Sequence, residues 1–171
     1  MRLTIADPAL VLLVGPSGAG KSTFAHAHFR QTEIVSSDEL RARVSDDAHD
    51  QDASPDAFRI LTLLLNARLR RRLLTVVDAT NLRASNRRRL QSLAARYGIP
   101  VVAVAFDLSE QEFLANNSRR PDRRVEGPVV VDQARRMVEA MAALPAEGYS
   151  QLYVLRRPPA LGEIDVDRIP G

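Results

Sequence analysis

The sequence of 171 residues predicts a doubly wound α/β domain, a five-stranded and mostly parallel sheet with helices on both faces. Three observations lead there. Short apolar runs at Leu10–Val14, Glu33–Ser36, Leu73–Ala79, Val101–Phe106 and Gln151–Leu155 alternate with longer stretches of helical periodicity. The first run breaks into Gly15-Pro-Ser-Gly-Ala-Gly-Lys-Ser-Thr23 and then into a helical pattern, the strand, glycine turn and helix of a P-loop. The composition, 45% hydrophobic and 26% charged, is that of a soluble globular domain long enough to bury a substantial core.

Composition also excludes. No apolar run approaches the roughly 18 residues of a membrane span, so no membrane partner is expected, and no signal-peptide pattern precedes the first strand. With no cysteine there is neither a disulfide framework nor a thiolate metal site, which permits a cytoplasmic location. The net charge of +3 is modest, but of the 24 basic residues only Lys21 is a lysine. In so arginine-biased a chain, that one lysine stands where a compact ammonium on a flexible stem is wanted.

Taken in order, Met1 to Pro8 alternates apolar and polar residues and predicts a lead-in or edge strand. Leu10–Val14 is continuously apolar, as buried parallel strands are. Gly15, Gly20, Lys21 and Ser22 then satisfy G-x-x-x-x-G-K-[ST], and Ser17, Gly18 and Thr23 complete the anion site. Its glycines let backbone N–H groups close around phosphate oxygens, and the helix from Lys21 to about Phe29 aims its positive end at the same place. Lys21 is assigned to the β and γ phosphates, and Ser22 to a Mg²⁺ ion.

The second strand delivers Ser36-Ser37-Asp38 to a C-terminal sheet edge, where open α/β sheets bind ligands. Asp38 can cap a helix Glu39–Val44, and it can also serve as general base; the two roles are compatible and its position favours the base. Arg41 follows one helical turn later. Asp46 to Ser54 is an acidic loop containing Gln51, and Pro55 to Arg72 predicts a core helix carrying Phe58, Leu61, Leu64, Leu65 and Leu69 inward.

Leu73–Ala79 is the second strong strand, and Asp78 near its end stands at a Walker B-like position for Mg²⁺. Asn81 is a cap or a substrate contact for the helix running to about Tyr97, which has Arg87, Arg88 and Arg89 in its early turns. A helix from Ser109 ends in Arg119-Arg-Pro-Asp-Arg-Arg124. Three roles fit that cluster, a solvated turn, a nucleic-acid patch and an arginine lid over a triphosphate, and its place between two helices favours the lid. Val129–Leu144 is the last long helix. The domain is expected to occupy residues 1–157, with 158–171 an exit segment or linker.

Beyond these patterns, the chain resembles the kinase module of bacterial polynucleotide kinase-phosphatase proteins of nucleic-acid end healing and sealing. The likeness rests on Gly-Pro-Ser-Gly-Ala-Gly-Lys-Ser-Thr-Phe at 15–24, Ser-Ser-Asp at 36–38 with Arg41, Val-Ser-Asp-Asp-x-x-Asp-Gln at 44–51, Thr-Val-Val-Asp-Ala-Thr-Asn at 75–81, and Arg120-x-Asp-Arg123. It implies transfer of the γ-phosphate of ATP or another NTP, with Mg²⁺, to the 5′-OH end of RNA or DNA. Asp38 is then the base and Arg41 an acceptor-strand contact, while Arg120 and Arg123 serve the nucleotide and Arg123 clamps the transferring group. Where the family often has a further lid arginine this chain has Asn116, with Arg119 or Arg120 nearby as replacements. Linked phosphatase and ligase modules are expected in a longer parent chain. Gln51 and Arg87 join Arg41 as candidates for the phosphates and terminal sugar of the acceptor. A kinase of a small hydroxyl compound and a nucleotide-sensing switch are the other classes this sequence admits.

Overall fold

A computed structural model describes residues 1–108, 127–156 and 164–171. The chain runs β1 (Arg2–Asp7), β2 (Leu10–Val14), α1 (Lys21–His28), a 3₁₀ turn (Gln31–Glu33), β3 (Ile34–Ser36), α2 (Ser37–Ser45), α3 (Ser54–Arg70), β4 (Thr75–Asp78), α4 (Ala84–Ala95) and β5 (Val101–Phe106). After these come α5 (Gly127–Ala143), a second 3₁₀ turn (Leu144–Ala146), β6 (Gln151–Leu155) and β7 (Asp165–Pro170).

The five predicted strands form one sheet in the order β3-β4-β2-β5-β6, and every pairing in it is parallel. Successive residues of β2 divide between its two faces, as the pleat requires. Val11 and Leu13 pack with Phe24 of α1, with Phe29 just after it, and with Leu3 and Ile5 of β1. Leu10 and Leu12 face Leu40 of α2, Leu61, Leu65 and Leu69 of α3 and Leu90 and Leu93 of α4, while Val14 joins Met137 and Ala140 of α5. Phe24 meets Phe106 and Phe29 edge-on, at ring-centre distances of 5.6 and 6.1 Å. Each such pair adds about 0.5–1.5 kcal/mol beyond burial, and the one with Phe106 of β5 holds α1 against the sheet that carries the glycine turn.

Two expectations change. On α3 the inward stripe is Ala57, Leu61, Leu65 and Leu69, whereas Leu64 is exposed, because a step of four from Leu61 and Leu65 leaves it off the buried face. The tail is more than an exit segment, since β7 pairs with β1 in a separate two-stranded parallel sheet from Arg2↔Asp165 to Asp7↔Pro170. Arg168 of β7 fastens it by two 2.8 Å hydrogen bonds to Glu33. Burial alone would raise the Glu33 carboxyl, but the Arg168 fork and the Arg30 backbone N–H hold it below its ordinary value. The expected helix from Ser109 and the arginines 119–124 lie outside the described residues.

Candidate active site

The parallel order brings three strand ends together at one edge. The glycine turn follows β2, Asp78 ends β4, and Asp38 lies just after β3, whose Ser36 is in register with Asp78. Two strand spacings, about 10 Å, separate the ends of β3 and β2.

Gly18 and Gly20 sit at φ of 90° and 92°, in the left-handed region that side chains disfavour, and Gly15 is needed for a different reason. A Cβ there would stand 3.0 Å from that of Phe106. The Gly15 N–H donates to Thr80 O at 2.9 Å, so the turn is stitched to the loop after β4. Lys21 is 7% exposed and its Nζ donates to Pro16 O at 2.7 Å, back across the turn. The α1 N-terminus begins at Gly20 with no side-chain cap and no acidic residue in its first turn. Its leading N–H groups and the Lys21 ammonium therefore share a positively polarised end suited to phosphate oxygens, and the Ser22 hydroxyl at the second helical position suits a hard cation.

Asp38 is not the helix cap. α2 begins one residue before it, and the Ser36 side chain accepts from Glu39 N at 3.4 Å. Asp38 thus lies in the first turn, where a carboxylate is favoured by the helix dipole without being needed to close it. Arg41 Nη2 donates to Asp38 Oδ1, as does Ser37 Oγ at 3.3 Å, and among the described residues no hydrogen bond reaches Oδ2. The Arg41 side chain is 13% exposed and its Nε donates to Ala48 O at 2.8 Å. It fixes both the carboxylate and the acidic loop. Gln51 lies in that loop, exposed, with Nε2 donating to His49 O at 3.2 Å.

Arg87 corrects the expectation of an acceptor contact, for its side chain is 1% exposed. Its Nε and Nη2 donate to the two Glu147 carboxylate oxygens at 2.8 and 2.5 Å, and Nη1 donates to the Asn81 and Leu82 carbonyls at 2.9 and 2.8 Å. Four of its five N–H groups are engaged and the side chain is buried, so it does not face a substrate. Arg87 hydrogen bonds, with help from the Tyr149 hydroxyl, hold Glu147 below its ordinary value of 4.5. The pair therefore adds stability that is present above pH 4.5 and is lost as pH falls through the depressed value of the folded state. Arg87→Ala is expected to destabilise the domain by about 3 kcal/mol, the low end for breaking a buried pair because Tyr149 still donates to Glu147 at 2.8 Å. Urea melts at pH 7 and below pH 4 test this, with the difference between wild type and variant shrinking in acid. A loss under 1 kcal/mol at neutral pH would show the pair to be dispensable.

Asn81 is neither a cap nor exposed to substrate. At 4% exposure and φ 48°, it donates from Nδ2 to Leu13 O at 2.8 Å and clamps the end of β2 to the exit of β4. Asparagine tolerates this left-handed backbone better than most residues. Asp78 is buried at 5%. One contact went unread in the sequence: Gln133 of α5 reaches the glycine turn, where the Ser17 N–H donates to its Oε1 at 2.7 Å. The candidate lid residues Asn116, Arg119, Arg120 and Arg123 lie outside the described residues.

Against protein-family models, residues 10–144 match an AAA domain. No curated protein sequence matches significantly. Among solved structures, a chain of the Pnkp1/Rnl/Hen1 RNA repair complex aligns with a TM-score of 0.69 at 21% identity, covering 81% of this chain and 46% of that one. The present chain therefore spans less than half of that relative. A gluconokinase from Sinorhizobium meliloti 1021 aligns at 0.59 and 18% identity, over 93% and 88% of the two chains. Shikimate kinase from Acinetobacter baumannii, solved with shikimate, aligns at 0.55 and 19% identity, over 91% and 87%. The fold is that of P-loop kinases. Among the described residues no helix is long and apolar enough to cross a membrane.

Proposed function

The chain belongs to this AAA domain family, and from that premise we propose that it is a kinase moving the γ-phosphate of ATP, or another NTP, to the 5′-OH end of RNA or DNA. The observation that carries the reading is the Asp38–Arg41 pair, one strand from Asp78 and two from the glycine turn, with Oδ2 of Asp38 left to accept a proton.

In the proposed reaction the acceptor hydroxyl oxygen bonds to the γ-phosphorus, its proton passes to Asp38, and the bond from the γ-phosphorus to the β–γ bridging oxygen breaks, releasing NDP. Lys21 and the turn's N–H groups neutralise charge gathering on the bridging and non-bridging oxygens. A Mg²⁺ ion, when bound, supplies further charge neutralisation, and the Ser22 hydroxyl and Asp78 carboxylate are the groups that would hold it. Arg120 and Arg123 are proposed for the nucleotide side, Arg123 on the transferring phosphoryl.

Polynucleotide specificity is supported by the motif set at 36–51 and 75–81 and by the fold shared with the RNA repair chain. Arg41 is proposed to turn Nη1 to an acceptor phosphate while holding Asp38, with Gln51 beside it. A cytoplasmic setting and linkage to phosphatase and ligase modules belong to the same proposal. A second reading, a small hydroxyl acceptor, gains from the burial of Arg87, which removes one of three predicted strand contacts.

Arg41→Ala tests the strand contact through KM for the oligonucleotide, because loss of the Asp38 partner lowers kcat under either reading. Losing charge-assisted hydrogen bonds worth about 1.5–3 kcal/mol should cost roughly 10- to 100-fold in kcat/KM for an oligonucleotide and leave ATP affinity nearly unchanged. Steady-state kinetics varying oligonucleotide and ATP separately, at two salt concentrations, read the split. An unchanged KM for the oligonucleotide would favour the small-acceptor reading.

A further inference from the structure

The contact between Gln133 and the glycine turn joins residues 116 positions apart in the chain. It has two points, for the Ser17 N–H donates to Gln133 Oε1 at 2.7 Å and Gln133 Nε2 donates to Ser17 Oγ at 3.4 Å. Its geometry is set by the sheet. Met137, one helical turn further along α5, is buried with Ala140 and Leu144 against β5, and the spacing puts Gln133 on that same inward face. The neighbouring polar residues are engaged elsewhere, Asp132 with Arg135 and Arg136 and Arg135 also with Glu139.

Ser17 belongs to a turn whose N–H groups, with Lys21, are suited to anionic oxygens. A backbone N–H serves one good acceptor at a time, and the neutral amide oxygen of glutamine is a weaker acceptor than an ionised phosphate oxygen. We propose that Gln133 is a residue of the phosphate site, its carboxamide oxygen standing in for a phosphate oxygen at the Ser17 N–H, so that nucleotide must displace it and Gln133 thereby sets the affinity for NTP. The inference rests on the P-loop reading above and is independent of the acceptor.

Two substitutions move affinity in opposite directions. Gln133→Ala removes the competitor, and exchanging one neutral hydrogen bond predicts ATP binding roughly three- to tenfold tighter. Gln133→Asn, one methylene too short to keep the contact, should follow it. Gln133→Glu keeps the shape but places a carboxylate against the triphosphate, which predicts binding at least about tenfold weaker, with the penalty shrinking as salt rises. The experiment is calorimetric titration of ATP into the full chain and each variant, with Lys21→Ala as the non-binding reference and nucleotide-free melting curves to establish folding. Tighter binding by the Ala and Asn variants with weaker binding by the Glu variant supports the inference. Wild type that binds ATP while the variants bind it equally, or an Ala variant that binds more weakly, overturns it alone. Wild type that binds no ATP overturns it together with the P-loop reading.

Discussion

Asp38→Asn is expected to fold and bind nucleotide normally while transferring phosphate roughly 10²- to 10⁴-fold more slowly, the range for loss of a general base. The amide keeps the shape of the carboxylate but cannot take the hydroxyl proton. Stability should change little. Ser36, not Asp38, caps α2, and the pair with Arg41 involves a carboxylate that is 46% exposed, where an ion pair is worth at most about 1 kcal/mol. A melting curve within a few degrees of wild type, beside a collapsed single-turnover rate, is the predicted outcome. A variant that transfers phosphate at the wild-type rate removes Asp38 from the chemistry, and one that unfolds makes it structural.

Lys21→Ala should lower transfer by about 10²-fold or more, since it deletes a preorganised charge from a water-poor site. The side chain is buried but belongs to none of the hydrophobic clusters, and its ammonium bonds Pro16 O across the turn. The fold should persist. Lys21→Arg should rescue poorly, because a planar guanidinium does not fit the space of a compact ammonium folded back over its own loop. Circular dichroism with ATP titration and rate measurement separates loss of binding from loss of fold. A Lys21→Ala protein that keeps most of its activity would contradict the role of the glycine turn.

How much was legible in the sequence follows from where each signal resides. β2 and β5 are buried on both faces, so their continuous apolar runs declare them, and the glycine turn is legible because its backbone conformation restricts residue type. β7 is not, because Asp-Val-Asp-Arg-Ile-Pro has the look of a polar tail and becomes a strand only through β1, which lies at the other end of the chain. Ser36-Ser37-Asp38 offers consecutive capping residues, and sequence does not say which one stops being helical. Arg87 had a usable signal: it precedes Leu90 by three and Ala94 by seven, on the apolar stripe, unlike Arg88 and Arg89. Its partner Glu147, 60 residues away, had none. Gln133 likewise acquires its place through α5 packing, which only the assembled sheet defines.

The hydroxyl acceptor proposed for this chain is a polynucleotide 5′ end. This is tested most directly by incubating the chain with γ-labelled ATP, Mg²⁺ and a panel of 5′-OH RNA and DNA oligonucleotides, beside free nucleosides, gluconate, shikimate and other small hydroxyl compounds. Label is expected at the 5′ end of oligonucleotides of many sequences, declining as salt rises because phosphate contacts position the strand without reading it. Label passing equally well to a nucleoside or a sugar, or hydrolysis of ATP that no acceptor alters, would contradict it.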